Sequence, residues 1–277
     1  MIDLRDKEAL LEELSAIARA AGDAILEVYG RDFAVQLKDD RSPLTEADQV
    51  SHRIIAERIR ALDGSVPLLS EESALPDPAT RRAWPRFWLV DPLDGTKEFL
   101  KRNGEFTVNI ALVEERRAVL GVVLAPALGR LYDGALGLGA WRSDGAGSAR
   151  PIHVRSPAGE PARVVGSRSH PSGELAGYLA ALGPHEITPM GSSLKICLVA
   201  EGAADVYPRF GPTSEWDTAA AQAILESAGG RMMDRVGQPL RYNTKDDLLN
   251  PHFLAFGDTR RNWLAPIQKT RGPEDRH

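Results

Sequence analysis

Residues 87–99 read FWLVDPLDGTKEF, an apolar run followed at once by an acidic turn. The four aromatic and aliphatic residues before Asp91 predict a short buried strand. Pro92 has no N–H for a sheet and a fixed φ angle, so we expect the strand to end and the chain to turn there. The carboxylates of Asp91 and Asp94 and the carbonyl group of Leu93 would then lie together at the end of the strand.

An oxygen-rich turn of this kind is typical of a site for a hard divalent cation such as Mg²⁺. Like charges at such short range repel each other unless a cation lies between them. A plain surface turn is the alternative, because Asp-Pro and Asp-Gly turns usually cap backbone amides. An EF-hand loop does not fit, because a pattern that begins at Asp91 puts Leu93 and Gly95 where side-chain oxygens are needed.

The composition limits the function classes that remain. The chain has 277 residues, of which 43% are hydrophobic and 26% charged, as in ordinary soluble globular proteins. Its length predicts about two domains. The net charge of −5 argues against nucleic acid as the main partner. If the substrate is an anion, a bound cation has to supply the attraction.

The cellular setting is predicted from the cysteine count and from the absence of targeting signals. Cys197 is the single cysteine, which fits a reducing cytoplasm without disulfides. The first residues lack the basic and apolar regions of a signal peptide. No apolar run approaches the roughly 20 residues of a membrane span. We therefore expect a cytoplasmic protein without a transmembrane segment.

The first half of the sequence predicts two helices packed on a mostly antiparallel sheet. Its predicted helices cover 9–30 and 46–62, and its main strands cover 33–37, 66–69, 87–90, 106–113 and 118–124. The glycine-rich stretch 134–147 is a candidate domain junction. It divides the chain into an α+β domain over 1–140 and a second domain over 141–277.

The second half alternates strands with helices, which is an α/β pattern. Strands are predicted over 163–166, 185–189, 204–208 and 253–256, and helices over 171–182, 193–201 and 214–228.

Three more carboxylates stand at predicted element boundaries, as Asp91 does. Asp48 lies in the first turn of a helix, where it would complement the helix dipole. Glu71 follows a short apolar run, in a turn where acidic residues are usually just solvated. Asp217 begins a helix, where aspartate is a common cap. Each of these residues has a local explanation, so only their combination points to a shared site.

That combination resembles the three motifs of the inositol monophosphatase superfamily. The matching segments are LLSEES at 68–73, WLVDPLDGT at 88–96 and EWDTAA at 215–220. The resemblance covers nearly the whole chain, in the right order. It implies the layered αβαβα sandwich of that superfamily and a Mg²⁺-dependent, lithium-sensitive phosphomonoesterase.

The resemblance also implies the metal ligands. Two or three Mg²⁺ ions would be held by Glu71, Asp91, Asp94, Asp217 and the carbonyl group of Leu93. Hydrolysis of phosphate monoesters is very slow without a catalyst. Paired divalent ions clamp the phosphate, acidify a bound water and stabilise the leaving oxygen. No side-chain nucleophile is then required.

Catalytic and substrate-binding roles follow from the same resemblance. We expect Glu71, helped by Thr96 and Asp48, to orient and deprotonate the attacking water. The backbone amides of Gly95 and Thr96 would hold phosphate oxygens. The substrate contacts implied are Gly95, Thr96, Ser193, Lys195, Arg209 and Asp217.

Within the superfamily, the chain is most similar to the bacterial 3′(2′),5′-bisphosphate nucleotidases. Residues 97–109 are similar to their extended second motif, and 191–195 and 207–213 resemble their substrate-side segments. Arg209 stands where inositol monophosphatases carry an acidic residue, which favours a substrate with a second negative group. Arg209, Lys195 and segment 166–170 are candidates for the second phosphate and the adenosine, with ordinary surface or interdomain charge as the alternative.

The resulting hypothesis is hydrolysis of 3′-phosphoadenosine 5′-phosphate, a nucleotide bisphosphate, to AMP and phosphate, which would clear a by-product of sulfate assimilation. An inositol or sugar monophosphatase is the first alternative, because it shares every metal ligand. A catalytically silent regulator that binds cations or nucleotides is the second. The sequence leaves open a homodimer and a loose association with the inner face of the cell membrane.

Overall fold

The fold consists of five layers in the order helix, sheet, helix, sheet, helix. A computed structural model describes residues 6–32, 35–37, 43–145, 147–166 and 173–270. The first part of the chain contains α1 (Lys7–Tyr29), β1 (Val35–Leu37), β2 (Pro43–Thr45), α2 (Glu46–Leu62), β3 (Leu68–Ser70), α3 (Pro78–Arg82), β4 (Arg86–Asp94), α4 (Thr96–Leu100), β5 (Thr107–Glu114), β6 (Arg117–Ala125), a 3₁₀ turn (Pro126–Leu128), β7 (Arg130–Ala135), β8 (Gly139–Asp144) and β9 (Arg150–Pro151).

The second part of the chain supplies the remaining layers. It contains β10 (Ala162–Gly166), α5 (Gly173–Leu182), β11 (His185–Pro189), α6 (Leu194–Ala200), β12 (Val206–Arg209), a 3₁₀ turn (Glu215–Asp217), α7 (Ala219–Ser227), β13 (Arg231–Asp234), β14 (Phe253–Phe256) and α8 (Ala265–Thr270).

Two large sheets form the sheet layers. The first has seven strands in the order β3-β4-β5-β6-β7-β8-β9, and all neighbours except β3 and β4 are antiparallel. The second has five strands in the order β11-β10-β12-β14-β13, with β10 parallel to both of its neighbours. Strands β1 and β2 pair separately.

Helices cover both sheets and fill the space between them. Helices α1 and α2 bury apolar stripes on one face of the first sheet. Helices α6 and α7 pack between the two sheets, with Leu198 and Ile224 in the central core. Helices α5 and α8 cover the outer face of the second sheet through Tyr178 and Ile267. The predicted αβαβα sandwich is confirmed.

A close approach of α7 to the first sheet sets the position of the central layer. A Cβ atom at Gly121 of β6 would lie 2.7 Å from the Ala220 Cα, nearer than side-chain atoms pack. Glycine at 121 and alanines at 219–221 therefore let the helix rest directly on the strand. This contact carries the start of α7, and Asp217 before it, toward the first sheet.

The domain boundary predicted at residue 140 falls inside strand β8. The glycine-rich stretch forms the β7–β8 hairpin, and Gly137 takes a positive φ of 84° in its turn. The first sheet continues to Pro151, and the second begins at Ala162. We therefore propose that the division between the two halves lies between Pro151 and Ala162.

Strand β4 also continues beyond its predicted end at Val90. Asp91 pairs with Asn109 and Asp94 pairs with Thr107, so β4 carries an extra residue in a bulge. Because Pro92 lies in this bulge, its missing N–H removes no bond from the sheet. The turn comes later, at Gly95, where φ is 86°.

Several other sequence predictions can be compared with the structure. The helix over 46–62 and the hairpin formed by 106–113 and 118–124 are confirmed. The helix predicted over 214–228 is a 3₁₀ turn followed by α7, and β13 and α3 were not predicted. No helix within the described ranges is long and apolar enough to cross a bilayer.

Candidate active site

Three aspartates meet at one point between the first sheet and the central helices. Asp91 and Asp94 come from the bulged end of β4, and Asp217 comes from the 3₁₀ turn before α7. One carboxylate oxygen of each lies within 4.8 Å of the others. The acidic turn of the sequence is therefore completed by a carboxylate from the other half of the chain, and the three together could hold a metal ion.

The electrostatics of this cluster favour a cation. Burial, followed by the charges of Glu71, Asp94 and Asp217, raises the pKa of Asp91 well above its usual value. Burial and the charge of Asp94 likewise raise the pKa of Asp217. The pKa of Asp94 rises to about 6 because of burial, against the opposing charge of Lys195. Carboxylates that repel each other in this way gain from a divalent ion between them.

Glu71 is the fourth carboxylate of the site. Its backbone N–H donates to the Val90 carbonyl oxygen over 3.2 Å, which places it beside the end of β4. Its charge contributes to the raised pKa values of Asp91, Asp94 and Asp217. Glu71 therefore faces the cluster, although the three aspartates form its tightest part.

The turn after Asp91 is organised by its own side chains. The Leu93 N–H donates to the Asp91 carboxylate over 3.0 Å. This bond orients the carboxylate of Asp91, a predicted metal ligand. The Thr96 hydroxyl lies 3.5 Å from the Leu93 carbonyl oxygen. Leu93 and Thr96 thus lie in the turn that carries Asp91 and Asp94, and their roles as ligand and water-orienting group stay predictions.

Asp48 occupies a different position in the network. Its carboxylate accepts hydrogen bonds of 2.7 Å from both the backbone N–H and the hydroxyl group of Thr45, which forms a capping box at the start of α2. One turn later, Ser51 donates to the Pro92 carbonyl oxygen over 2.7 Å. Asp48 therefore shapes the helix that rests against the acidic turn, and its part in water activation stays a prediction.

A buried polar network holds Asp94. The Ser193 N–H donates to the Asp94 carboxylate over 2.6 Å, and Thr107 and Asn109 lie 3.4 and 3.5 Å from the same oxygen. The Ser193 hydroxyl itself bonds to Asn109 and Thr107 over 2.7 and 2.8 Å. Ser193, predicted as a substrate contact, thus supports a predicted metal ligand. Thr107 and Asn109 belong to the segment 97–109 that resembles the extended second motif, but no role was predicted for either residue.

A cavity opens beside the cluster. Most of the predicted substrate contacts line it, namely Gly95, Ser193, Lys195, Arg209 and Asp217. Tyr207 and Thr213, from the segment 207–213 that resembles the substrate side, also line it, as does Glu98, for which the sequence predicted no role of its own. Segment 166–170, predicted to contact substrate, lies outside the described residues after Gly166.

Three cations line this cavity, Lys97, Lys195 and Arg209. The buried Lys195 ammonium donates to the Ser192 carbonyl oxygen over 2.7 Å and lies 5.5 Å from the centre of the Tyr207 ring. Arg209 donates from one terminal nitrogen to the Pro212 carbonyl oxygen over 2.6 Å. Its Nε is buried and has no hydrogen-bond partner among the described residues. An anionic group in the cavity would give that Nε an acceptor.

A comparison with known protein families agrees with an acidic cluster of this kind beside a cavity that cations line. The family model described as the inositol monophosphatase family matches residues 6–264. The chain belongs to this family. The resemblance seen in the three sequence motifs is confirmed.

Individual members of the family extend the comparison. The chain is 51% identical to the 3′(2′),5′-bisphosphate nucleotidase CysQ of Salmonella typhimurium over 246 residues, which cover 88% of this chain and 98% of that protein. The crystal structure of CysQ from Bacteroides thetaiotaomicron has a TM-score of 0.80 at 41% identity and covers 94% of this chain and 100% of its own. The inositol monophosphatase from Anabaena has a TM-score of 0.74 at 25% identity, with 96% and 98% covered.

Proposed function

We propose that this chain is a 3′(2′),5′-bisphosphate nucleotidase that hydrolyses 3′-phosphoadenosine 5′-phosphate to AMP and phosphate. The observation that carries the proposal is the 51% identity to a nucleotidase of that name over nearly its whole length. The cavity supports it, because Lys97, Lys195 and Arg209 line the space next to the acidic cluster. A substrate with one phosphate at the cluster and a second near these cations would use both parts of the site.

The donor set fits Mg²⁺. Asp91, Asp94, Asp217 and Glu71 offer carboxylate oxygens and Leu93 offers a carbonyl oxygen, which are the hard donors this ion prefers. The raised pKa values of Asp91, Asp94 and Asp217 support a cation here, because a positive charge would offset the burial and mutual repulsion that raise them. We propose that two or three Mg²⁺ ions bind here. When bound, such ions lower the pKa of water and offset charge on the phosphate.

The chain's own residues would position the reactants. Glu71 accepts the proton of the attacking water, and the Thr96 hydroxyl orients that water. Asp48 keeps the start of α2 in place through Thr45. The Gly95 and Thr96 amides hold phosphate oxygens at the turn that follows β4.

Arg209 and Lys195 would select the second phosphate. The unpartnered Nε of Arg209 is the group with unused capacity for an anion. Lys195 adds a buried positive charge close to Asp94, since each group shifts the other's pKa toward the charged form. Inositol 1-phosphate has no second phosphate for Arg209 and Lys195 to bind.

The deciding experiment compares phosphate release from 3′-phosphoadenosine 5′-phosphate and from inositol 1-phosphate, with Mg²⁺ and with or without lithium. We expect strong preference for the bisphosphate and inhibition by lithium. Preference for inositol 1-phosphate would overturn the substrate while keeping the chemistry. Nucleotide binding without release of phosphate would instead point to a silent regulator.

We also propose that the enzyme is cytoplasmic, with a homodimer and a loose attachment to the inner face of the cell membrane left open. The single, buried Cys197 is consistent with a reducing cytoplasm. Size-exclusion chromatography with light scattering distinguishes a monomer from the homodimer. Fractionation of cells tests attachment to the inner face of the membrane.

A further inference from the structure

A second cavity lies at the opposite end of α7 from Asp217. Three arginines line it, Arg117, Arg231 and Arg241, and Glu226 is the one carboxylate among its described lining residues. The chain as a whole has a net charge of −5, so a local excess of positive charge is not a general property of its surface. The excess calls for a separate explanation.

The backbone brings the arginines together. Met233 and Pro239 form an antiparallel bridge, and the Leu240 N–H donates to the Met232 carbonyl oxygen. Arg231 begins β13 and Arg241 follows Leu240, so both arginines lie at the same end of this pairing and line the cavity. Like charges held in one cavity repel each other.

The third arginine reaches the same place from the first sheet. The Tyr242 N–H donates to the Arg116 carbonyl oxygen over 3.0 Å, which joins the start of β6 to the segment after Arg241, and both Arg117 and Arg241 line the cavity. The β5–β6 hairpin thus contributes one charge and the segment after β13 another.

Protein groups neutralise these charges only in part. In the described part of the chain, neither Arg231 nor Arg241 has an ion-pair or side-chain hydrogen-bond partner. Arg117 lies 3.9 Å from Glu226, whose other oxygen accepts a bond of 2.8 Å from Gln222. One carboxylate, already shared, therefore faces three guanidinium groups.

We propose that this cavity, which we call the arginine cavity, is a second binding site for a phosphate dianion, either free or as part of a phosphate monoester. Planar guanidinium groups match phosphate oxygens in pairs, and a dianion between Arg231 and Arg241 removes their repulsion. The adjoining apolar wall includes Met232, Met233 and Pro239, which could pack against the uncharged part of an ester.

The test is calorimetric titration of the full-length chain, with Mg²⁺ present, by inorganic phosphate, AMP and adenosine. We expect two phosphate sites, one at the acidic cluster and one in the arginine cavity. Arg231→Gln and Arg241→Gln should each weaken only the second site, by about tenfold or more, because each removes a charge-assisted hydrogen bond. Arg58→Gln is the matched control, since Arg58 is an exposed arginine on the distant α2.

The three ligands identify the source of the phosphate. Equal affinity for phosphate and AMP at this site supports free phosphate, and tighter binding of AMP supports a nucleotide. Adenosine binding as tightly as AMP would overturn the proposal, because no phosphate would be recognised. Phosphate binding that both arginine variants leave unchanged would overturn it as well.

Glu226→Gln gives an independent result that does not depend on removing an arginine. It deletes the one negative charge of the arginine cavity and keeps the hydrogen-bonding shape of the side chain. We expect phosphate to bind this variant several-fold more tightly. Unchanged or weaker binding would contradict the proposed site.

Discussion

The backbone N–H of Ser193 donates a 2.6 Å hydrogen bond to the carboxylate of Asp94. These residues belong to different halves of the chain, and the bond fixes one carboxylate of the acidic cluster from the side of the central helices. The Ser193 hydroxyl strengthens the arrangement, because it bonds to Asn109 and Thr107 next to Asp94. The geometry of the cluster thus depends on the docking of α6 as well as on β4.

Asp94→Asn should abolish most activity while retaining the fold. The substitution keeps the shape of the side chain but removes a charge that a divalent ion needs, so we expect at least about a hundredfold loss of turnover. Phosphate release at increasing Mg²⁺ measures it. Mg²⁺ should raise the melting temperature of the wild type and not of the variant. Near-normal turnover would remove Asp94 from the proposed ligands.

Arg209→Glu should discriminate between substrates. It places a negative charge where we propose the second phosphate, so kcat/KM for 3′-phosphoadenosine 5′-phosphate should fall by about a hundredfold or more. Hydrolysis of a substrate with one phosphate should change far less. Lys101→Glu makes the same charge change at an exposed site at the end of α4, outside the residues that line the cavity, and should affect both substrates little. Equal losses on both substrates in Arg209→Glu would exclude Arg209 from specificity.

Gly121→Ala should destabilise the protein and reduce its activity. The new methyl group would push α7 away from β6 and shift Asp217, at a cost of about 1–3 kcal/mol or more in the free energy of unfolding. Urea unfolding and phosphate release measure the two effects. Gly173→Ala is the control, because a Cβ there meets no atom of the described residues within 4 Å. A fully stable Gly121→Ala variant would show that the layers tolerate separation.

Asp133→Asn should stabilise the protein above pH 6. Burial raises the pKa of Asp133 to about 6, and its Oδ1 has no hydrogen-bond partner within the described ranges. The folded state therefore holds a proton that the unfolded state has released, so stability is lost as the pH rises from about 4 through 6. Asparagine avoids this loss, which is about 3 kcal/mol at most.

Urea unfolding at pH 7.5 and pH 5 tests the prediction for Asp133. The gain in the variant should be large at pH 7.5 and smaller at pH 5. Asp23→Asn, on the exposed face of α1, provides the comparison and should change little at either pH. An equal gain at both pH values would contradict ionisation of Asp133 as the cause.

Much of the local structure could be predicted because it depends on neighbouring residues. The apolar run before Asp91 predicted a buried strand, and the helix predicted over 46–62 has the bounds of α2. The structure differs from the prediction where strand pairing between distant segments overrode the local conformational preference of proline or glycine. Pro92 was expected to end β4, but the bulge accommodates it, and the glycines expected to form a domain junction instead form a hairpin in the first sheet.

The sequence alone determined the acidic turn, the alternation of elements in the second half and the motifs shared with the family. Each of these is a property of consecutive residues. Only the tertiary structure brought Asp217 to Asp91, placed Ser193 on Asp94 and gathered Arg117, Arg231 and Arg241 around one cavity. Contacts between distant segments depend on how closely layers pack, as at Gly121 and Ala220, and no local pattern of residues specifies that distance.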